Sequence, residues 1–207
     1  TPKPSSAASD VYKRQGPRDA THTTMKSFAF VFPGQGSQAV GMLDAWGDHP
    51  AVAETLREAS EALGEDIAAL IKTGPKEALA LTTNTQPVML VAGVAAWRAW
   101  LAEGGATPSV VAGHSLGEYS ALVASGVLTL AQAAPLVRFR AQAMQQAVPV
   151  GTGAMAAILG MEAAKVIANC QEVNASFGAG SAEVVEAVNF NDPMPVSYTH
   201  LTLPTKA

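Results

Sequence analysis

The sequence predicts an α/β protein built on a parallel sheet and followed by a smaller, incomplete β-α-β unit. Two observations carry this prediction. Two short apolar strand patterns, at residues 27–32 and 109–112, are separated by several segments with helical spacing, and a glycine-containing turn follows each strand. After Pro149 the pattern changes to strand, helix, glycine- and serine-rich loop and strand, and no further strands that would close such a sheet follow.

The larger unit is predicted to alternate strands with helices. Helical patterns follow the first strand at residues 50–63, 67–71, 76–81 and 86–103. The second strand leads through a turn into a helix over residues 118–124, and Thr129 is suited to cap a further helix that reaches about Gln146. Pro135 has no explanation at this level, because a proline inside a helix costs about 3 kcal/mol.

The smaller unit and the two ends of the chain complete the expected organisation. In the smaller unit, a strand at 153–159, a helix at 162–172 and a strand at 183–190 are predicted. We expect residues 1–24 to be a non-native leader before Met25, 25–148 the larger unit, 149–191 the partial subdomain, and 192–207 a non-native tail. The alternative is that both ends are ordinary flexible termini.

Composition and charge argue against several classes of protein. The 207 residues are 48% hydrophobic, which is enough to bury a core. The formal net charge of −4 and the absence of a basic cluster argue against a nucleic-acid partner. The most apolar stretch, residues 87–97, is about half of the roughly 20 residues that a membrane-spanning helix needs. We therefore expect neither nucleic acid nor a membrane as a partner.

Cysteine usage and the first residues of the chain bear on the compartment. Cys170 is the one cysteine, so it cannot form an intramolecular disulfide, and it has no Cys or His neighbours at zinc-ligand spacing. The first 24 residues lack the basic and then apolar pattern of a signal peptide. We expect a cytoplasmic protein without a metal or another cofactor.

The strongest chemical signal is the sequence Gly-His-Ser-Leu-Gly at 113–117, between the second strand and a helix. In this order of elements, a Gly-x-Ser-x-Gly turn forces the serine into a strained backbone conformation and exposes its hydroxyl. The Leu116 N–H, ahead of the helix, is then suited to donate to an oxyanion. Ser115 is the predicted nucleophile, although the same residues are also compatible with a simple tight turn.

A second glycine-containing turn, Pro-Gly-Gln-Gly-Ser-Gln at 33–38, follows the first strand. Its glycines allow a ligand to approach the backbone, and Gln35 offers a neutral amide that can donate to an oxyanion. It lacks the ending of a Walker loop and the third glycine of a dinucleotide-binding turn, so nucleotide binding is the poorer interpretation.

Together with Gly-Thr-Gly-Ala-Met at 151–155, these two motifs resemble the malonyl-CoA:acyl carrier protein transacylases of bacterial fatty acid synthesis. The similarity runs from about Met25 to Asn191. It implies a hydrolase-like parallel-sheet acyltransferase core with an incomplete ferredoxin-like subdomain, in a chain truncated at its C-terminal end. It also implies malonyl-CoA and acyl carrier protein as partners, a Ser115 acyl-enzyme, and a monomer when the protein is complete.

By the same resemblance, further residues acquire roles. Gln35 and the Leu116 N–H form the oxyanion site, and Arg140 matches the arginine that binds the free malonyl carboxylate, a task suited to a planar bidentate donor. Without the resemblance, Arg140 would be interpreted as part of a solvated helix face, with Arg138 as its exposed companion.

The general base is missing from this pattern. The family pairs its serine with a histidine roughly a hundred residues downstream, in a segment that this sequence does not match. His114 is expected to point away from Ser115, and His22 and His49 are expected to be solvated. His200 comes too early and in the wrong surroundings. We therefore expect the chain to be a weak or inactive transferase.

Three alternatives remain open from the sequence. A serine esterase of the α/β-hydrolase type has the same turn but leaves Gln35 and Arg140 without roles. A polyketide-type acyltransferase domain shares the motif, and a non-catalytic module would only bind acyl carrier protein. The choice between malonyl and methylmalonyl also stays open.

Overall fold

A computed structural model describes residues 27–148, 153–178 and 181–190, together with the backbone of 199–204. The larger unit contains β1 (Ala29–Phe32), α1 (Pro50–Leu63), α2 (Ile67–Thr73), α3 (Lys76–Ala80), α4 (Thr82–Ala102), β2 (Val110–Gly113), α5 (Gly117–Ala124) and α6 (Leu130–Ala147). The smaller unit contains β3 (Gly153–Ile158), α7 (Ala163–Ser176), β4 (Glu186–Phe190) and β5 (Thr199–Pro204). The expected leader, residues 1–24, lies outside the described residues.

The two strands of the larger unit pair in parallel, as predicted. Ala29 is opposite Val110 and Phe32 is opposite Gly113, so both strands end at the same edge of the sheet. One face is buried through Phe30 and Phe32, which pack against Trp97 of α4. Loops that follow parallel strands meet at this C-terminal edge, where α/β folds place their ligands.

Helices α1, α4 and α6 enclose the main core with the shorter helices beside them. Helix α4 is buried on most of its circumference, and Val88, Leu90 and Val91 have no exposed surface. It begins at Thr82, four residues before the predicted start at residue 86. The difference has a local cause: the Thr85 hydroxyl donates to the carbonyls of Leu79 and Leu81, which fixes the first turn upstream of the apolar pattern.

Helix α6 begins as the sequence predicts and accommodates its proline. Thr129 forms a capping box with Gln132, in which each side chain accepts from the backbone N–H of the other. Pro135 removes the hydrogen bond to the carbonyl of Ala131, but both residues are exposed. Water can therefore satisfy that carbonyl, which explains why the helix continues through the proline.

The smaller unit is a three-stranded antiparallel sheet in the order β3–β5–β4, with α7 connecting its outer strands. Val166 and Cys170 of α7 pack against Val185 in a separate small core. Strand β5 was not predicted, because residues 192–207 show no periodicity. Its position depends on pairing with β3 on one side and β4 on the other rather than on its own pattern.

Two further findings apply to the described residues. None of their helices is both long and apolar enough to cross a bilayer. They also contain no group of three histidine, cysteine, aspartate or glutamate side chains that could hold a metal ion.

Candidate active site

Ser115 occupies the sharp turn between β2 and α5. Its φ is 55°, and it is the one non-glycine residue with a positive φ among those the structure describes. An L-residue in this left-handed region costs roughly 1–2 kcal/mol, so the surrounding structure has to impose it. The side chain is exposed. The strained conformation predicted for a nucleophile is therefore present.

The flanking glycines allow this turn to form. A Cβ on Gly113 would lie 2.0 Å from the carbonyl atoms of Gly117, and a Cβ on Gly117 would lie 2.3 Å from the carbonyl oxygen of Phe32. Atoms that are not bonded to each other do not approach this closely. Only glycine therefore fits at either position, because the turn brings its own two ends and the end of β1 into direct contact.

The loop after β1 packs against the turn. A Cβ on Gly34 would lie 3.1 Å from the carbonyl oxygen of His114 and 3.8 Å from the Cβ of Ser115. The neighbouring Gln35 side chain accepts a hydrogen bond from the Thr82 hydroxyl at 3.1 Å. Gln35 thus lies on the loop that contacts the turn at residues 113–117, and its amide oxygen accepts a hydrogen bond from the first residue of α4.

Arg140 extends from α6 to the serine. Its Nη2 donates to Ser115 Oγ at 3.0 Å, and its Nη1 donates to the side-chain oxygen of Gln86. Both partners are neutral, and within the described residues no carboxylate lies within ion-pair distance of this guanidinium. Arg140 is therefore a half-buried cation beside the hydroxyl. The alternative interpretation from the sequence, that Arg140 belongs to a solvated helix face, is wrong.

Gln86 is a site residue that the sequence analysis missed. It is fully buried in α4, accepts from Arg140, and donates to Thr82 Oγ1 at 3.1 Å and to Met144 Sδ at 3.4 Å. Through Thr82 it is connected to Gln35. A glutamine four residues after a threonine, directly before the apolar residues 87–97, is the signal that could have indicated it, because buried amides need hydrogen-bond partners.

Leu116 links the turn to α5. Its side chain is 1% exposed, and the residue occupies the N-cap position of the helix that begins at Gly117. Its backbone N–H therefore precedes the first helical turn, where N–H groups have no intrahelical acceptor. This position is compatible with the oxyanion role that the resemblance implies.

The histidines are placed as follows. His49 was expected to be solvated, but only 15% of its side chain is exposed: Nε2 lies 3.1 Å from Glu103 Oε1, and Nδ1 accepts from the Ala51 N–H. It caps α1. His114 is exposed beside Ser115. His22 and the side chain of His200 lie outside the described residues, although the backbone of His200 pairs with Ala157 in the small sheet.

The side chain of Arg138 is also more buried than expected. It was expected to be an exposed companion of Arg140, but only 16% of its side chain is exposed. Its guanidinium donates to the Thr83 carbonyl, to Asn84 Oδ1 at 2.9 Å and to the Glu65 carboxylate. Arg138 therefore joins α6 to the beginning of α4.

A strained, exposed serine between strand and helix, at the C-terminal edge of a parallel sheet, defines an α/β protein with a nucleophile elbow. The family model for the acyl transferase domain matches residues 29–190. The chain belongs to this family.

Relatives with names and solved structures agree with this assignment. The chain is 54% identical over 170 residues to the malonyl CoA-acyl carrier protein transacylase of Escherichia coli K12, covering 82% of this chain and 53% of that protein. It resembles the crystal structure of the acyl-carrier-protein S-malonyltransferase from Burkholderia pseudomallei 1710b, with 60% identity, a TM-score of 0.77, and coverage of 86% of this chain and 55% of that one.

A third relative is a malonyl-transacylase solved in complex with a type II polyketide acyl carrier protein. The identity is 46% and the TM-score 0.76, covering 86% of this chain and 55% of that one. The chain thus spans about half the length of the relatives it matches.

Proposed function

We propose that this chain carries the nucleophile half of a transferase that moves a malonyl group from malonyl-CoA to the phosphopantetheine thiol of acyl carrier protein, in fatty acid biosynthesis. The observation that carries the proposal is the contact between Arg140 and Ser115, at 3.0 Å, by a guanidinium without a described carboxylate partner. A malonyl group differs from acetyl by one terminal carboxylate. That carboxylate is favoured in a partly buried site only if a cation replaces its hydration.

The first half-reaction forms an ester on the serine. Ser115 Oγ attacks the malonyl carbonyl carbon, the C–S bond to coenzyme A breaks, and the departing thiolate takes up a proton. The free carboxylate of the malonyl group then lies three bonds from the ester oxygen, so Arg140 can exchange its hydrogen bond to Oγ for a bidentate contact with that carboxylate. The Leu116 N–H and Gln35 are proposed to stabilise the negative charge that develops on the carbonyl oxygen.

The second half-reaction returns the serine to its starting state. The carrier thiol attacks the same carbonyl carbon, the bond to Oγ breaks, and Oγ regains its proton. Arg140 only donates hydrogen bonds, so the serine proton must pass to another group in each half-reaction. In the family that group is a downstream histidine. We therefore expect the acylation of Ser115 in this chain to be slow for an enzyme. Its rate should exceed that of the uncatalysed reaction in water by a factor of about 10³ to 10⁴ at most.

Intact-protein mass spectrometry tests the proposal. The 207-residue chain is incubated with malonyl-CoA, the adduct is mapped to a residue, and carrier protein with its phosphopantetheine arm is then added. We expect a malonyl adduct on Ser115 that disappears as malonyl carrier protein forms, and no adduct in Ser115→Ala. An adduct on Cys170, or one that persists in Ser115→Ala, would refute the proposal.

The same experiment separates the alternatives. A serine esterase releases free malonate whether or not carrier protein is present. A module that only binds carrier protein gives a complex without an adduct. Comparing malonyl-CoA with methylmalonyl-CoA as donors tests the substrate choice, and a preference for methylmalonyl-CoA would favour the polyketide-type acyltransferase.

A further inference from the structure

Helix α4 contains a break in its hydrogen bonding next to the site. Pro87 is buried at the sixth position of the helix and has no N–H to donate to the carbonyl of Thr83. A partly buried carbonyl that loses its helical donor is destabilising unless another donor replaces it. This break lies in the turn that contains Thr82 and Gln86.

Arg138 supplies the replacement. Its Nη1 donates to the Thr83 carbonyl and to Asn84 Oδ1, and its Nη2 donates to Glu65, whose side chain is 43% exposed. The charge is thereby paired, and the rigid fork of the guanidinium reaches acceptors on two separate segments. The donor that Pro87 removes from the backbone is provided by a side chain of α6.

The same turn of α4 orients the polar groups of the site. Thr82 directly precedes Thr83 and donates to Gln35, whereas Gln86 directly precedes Pro87 and accepts from Arg140. Residues two apart on a helix point about 200° apart, so Arg138 and Arg140 approach this turn from different sides of α6. A shift of the turn would move the partners of both Gln35 and Arg140.

We propose that Arg138 is a positioning residue, whose guanidinium replaces the hydrogen bond lost at Pro87 and so holds Thr82 and Gln86 where they orient Gln35 and Arg140. The part that concerns the site rests on the proposed malonyl transfer. The part that concerns the hydrogen bonding of α4 is independent of that function.

A double-mutant cycle in the 207-residue chain tests the helix part. Arg138→Met should lower the folding equilibrium constant about 10-fold in the parent chain but only about 3-fold in Pro87→Ala, because the backbone N–H restored by that substitution can then donate to the Thr83 carbonyl. Equal losses in both backgrounds would overturn the proposal. Arg138→Lys keeps the charge and one donor nitrogen, so its loss should fall between these values, and it serves if Arg138→Met does not fold.

A matched control uses Arg57, an arginine with two carboxylate partners. Arg57 binds Glu54 and Glu61 on the exposed surface of α1. Arg57→Met should lose the same small amount of stability in the parent chain and in Pro87→Ala. Coupling between Arg57 and Pro87 would show that the cycle reports a general effect of charge and would contradict our inference.

Ser115 acylation rates with malonyl-CoA and acetyl-CoA test the positioning role. Arg138→Met should lower the malonyl-to-acetyl ratio about 10-fold, the effect of one lost hydrogen bond to a charged group, and Arg138→Lys should recover part of it. Equal losses for both donors would make Arg138 purely structural and overturn this part. If the parent chain forms no malonyl adduct, the proposed function fails, and the stability cycle still decides whether Arg138 replaces the Pro87 hydrogen bond.

Discussion

Nη2 of Arg140 lies 3.0 Å from Oγ of Ser115, although the two residues are 25 positions apart and belong to different parts of the fold. The contact joins a fixed cation to a strained hydroxyl. Arg140 also donates to Gln86, Gln86 donates to Thr82, and Thr82 donates to Gln35. Polar residues from four segments thus form one connected network at the C-terminal edge of the sheet.

Removal of the Arg140 cation should affect malonyl and acetyl donors differently. We expect Arg140→Ala to lower the rate constant for Ser115 acylation by malonyl-CoA by the equivalent of about 2–5 kcal/mol, the usual cost of removing one partner of a buried charge pair. Acetyl-CoA should react no more slowly. Arg140→Lys should restore only part of the loss, because a point charge cannot form two parallel hydrogen bonds.

The rates are measured by following the Ser115 adduct over time with intact-protein mass spectrometry. Arg57→Ala, on the surface of α1, is the control that should leave the malonyl and acetyl rates unchanged. If malonyl and acetyl transfer fall together in Arg140→Ala, the residue is structural and the malonyl preference has another source.

Gln86→Met keeps the side-chain volume but removes the acceptor of Arg140 and the donor to Thr82. We expect the free energy of unfolding to fall by about 1–3 kcal/mol, because hydrogen bonds to a charged group are lost in a buried place. The malonyl-to-acetyl ratio should also fall, since the guanidinium is no longer held. Gln142→Met, on the exposed side of α6, should change neither quantity. Unchanged stability in Gln86→Met would contradict the described network.

Gly113→Ala should disrupt the turn at residues 113–117. The added Cβ would lie 2.0 Å from backbone atoms of Gly117, which cannot rotate away. We expect a loss of at least about 3 kcal/mol in the free energy of unfolding and no Ser115 adduct. Gly178→Ala is the matched control, because a Cβ there meets nothing within 4 Å. Chemical denaturation measures both, and a Gly113→Ala chain of parent stability would show that the turn has a different shape.

Ser115→Gly should be more stable than Ser115→Ala, by about 0.5–1 kcal/mol, because glycine adopts a φ of 55° without the steric cost that alanine has. Both variants lack the hydroxyl, so the comparison of their free energies of unfolding by chemical denaturation isolates backbone strain. At Ser125, where φ is −81°, the order of the two variants should reverse. If the alanine variant were the more stable one at Ser115 as well, the Ser115 backbone would not be strained.

Strands β1 to β4, most helix bounds and the two glycine turns could be predicted from the sequence, since each depends on residues close together in the chain. The start of α4 and strand β5 could not. Hydrogen bonds from Thr85 to the preceding segment set the former, and pairing with β3 and β4 sets the latter. The position of Arg140 beside Ser115 agrees with the resemblance, whereas periodicity alone indicated a solvated surface.

What the sequence determined by itself is the Gly-x-Ser-x-Gly turn at residues 113–117, because its glycines and its place between a strand and a helix are local features of the chain. Only the tertiary structure decided which arginine contacts Ser115 and which one holds the neighbouring helix in position. Arg138 and Arg140 are two residues apart on one helix, yet one pairs with Glu65 and replaces the hydrogen bond lost at Pro87, and the other contacts Ser115. Their partners are 25 to 73 positions distant, so no local pattern could have distinguished them.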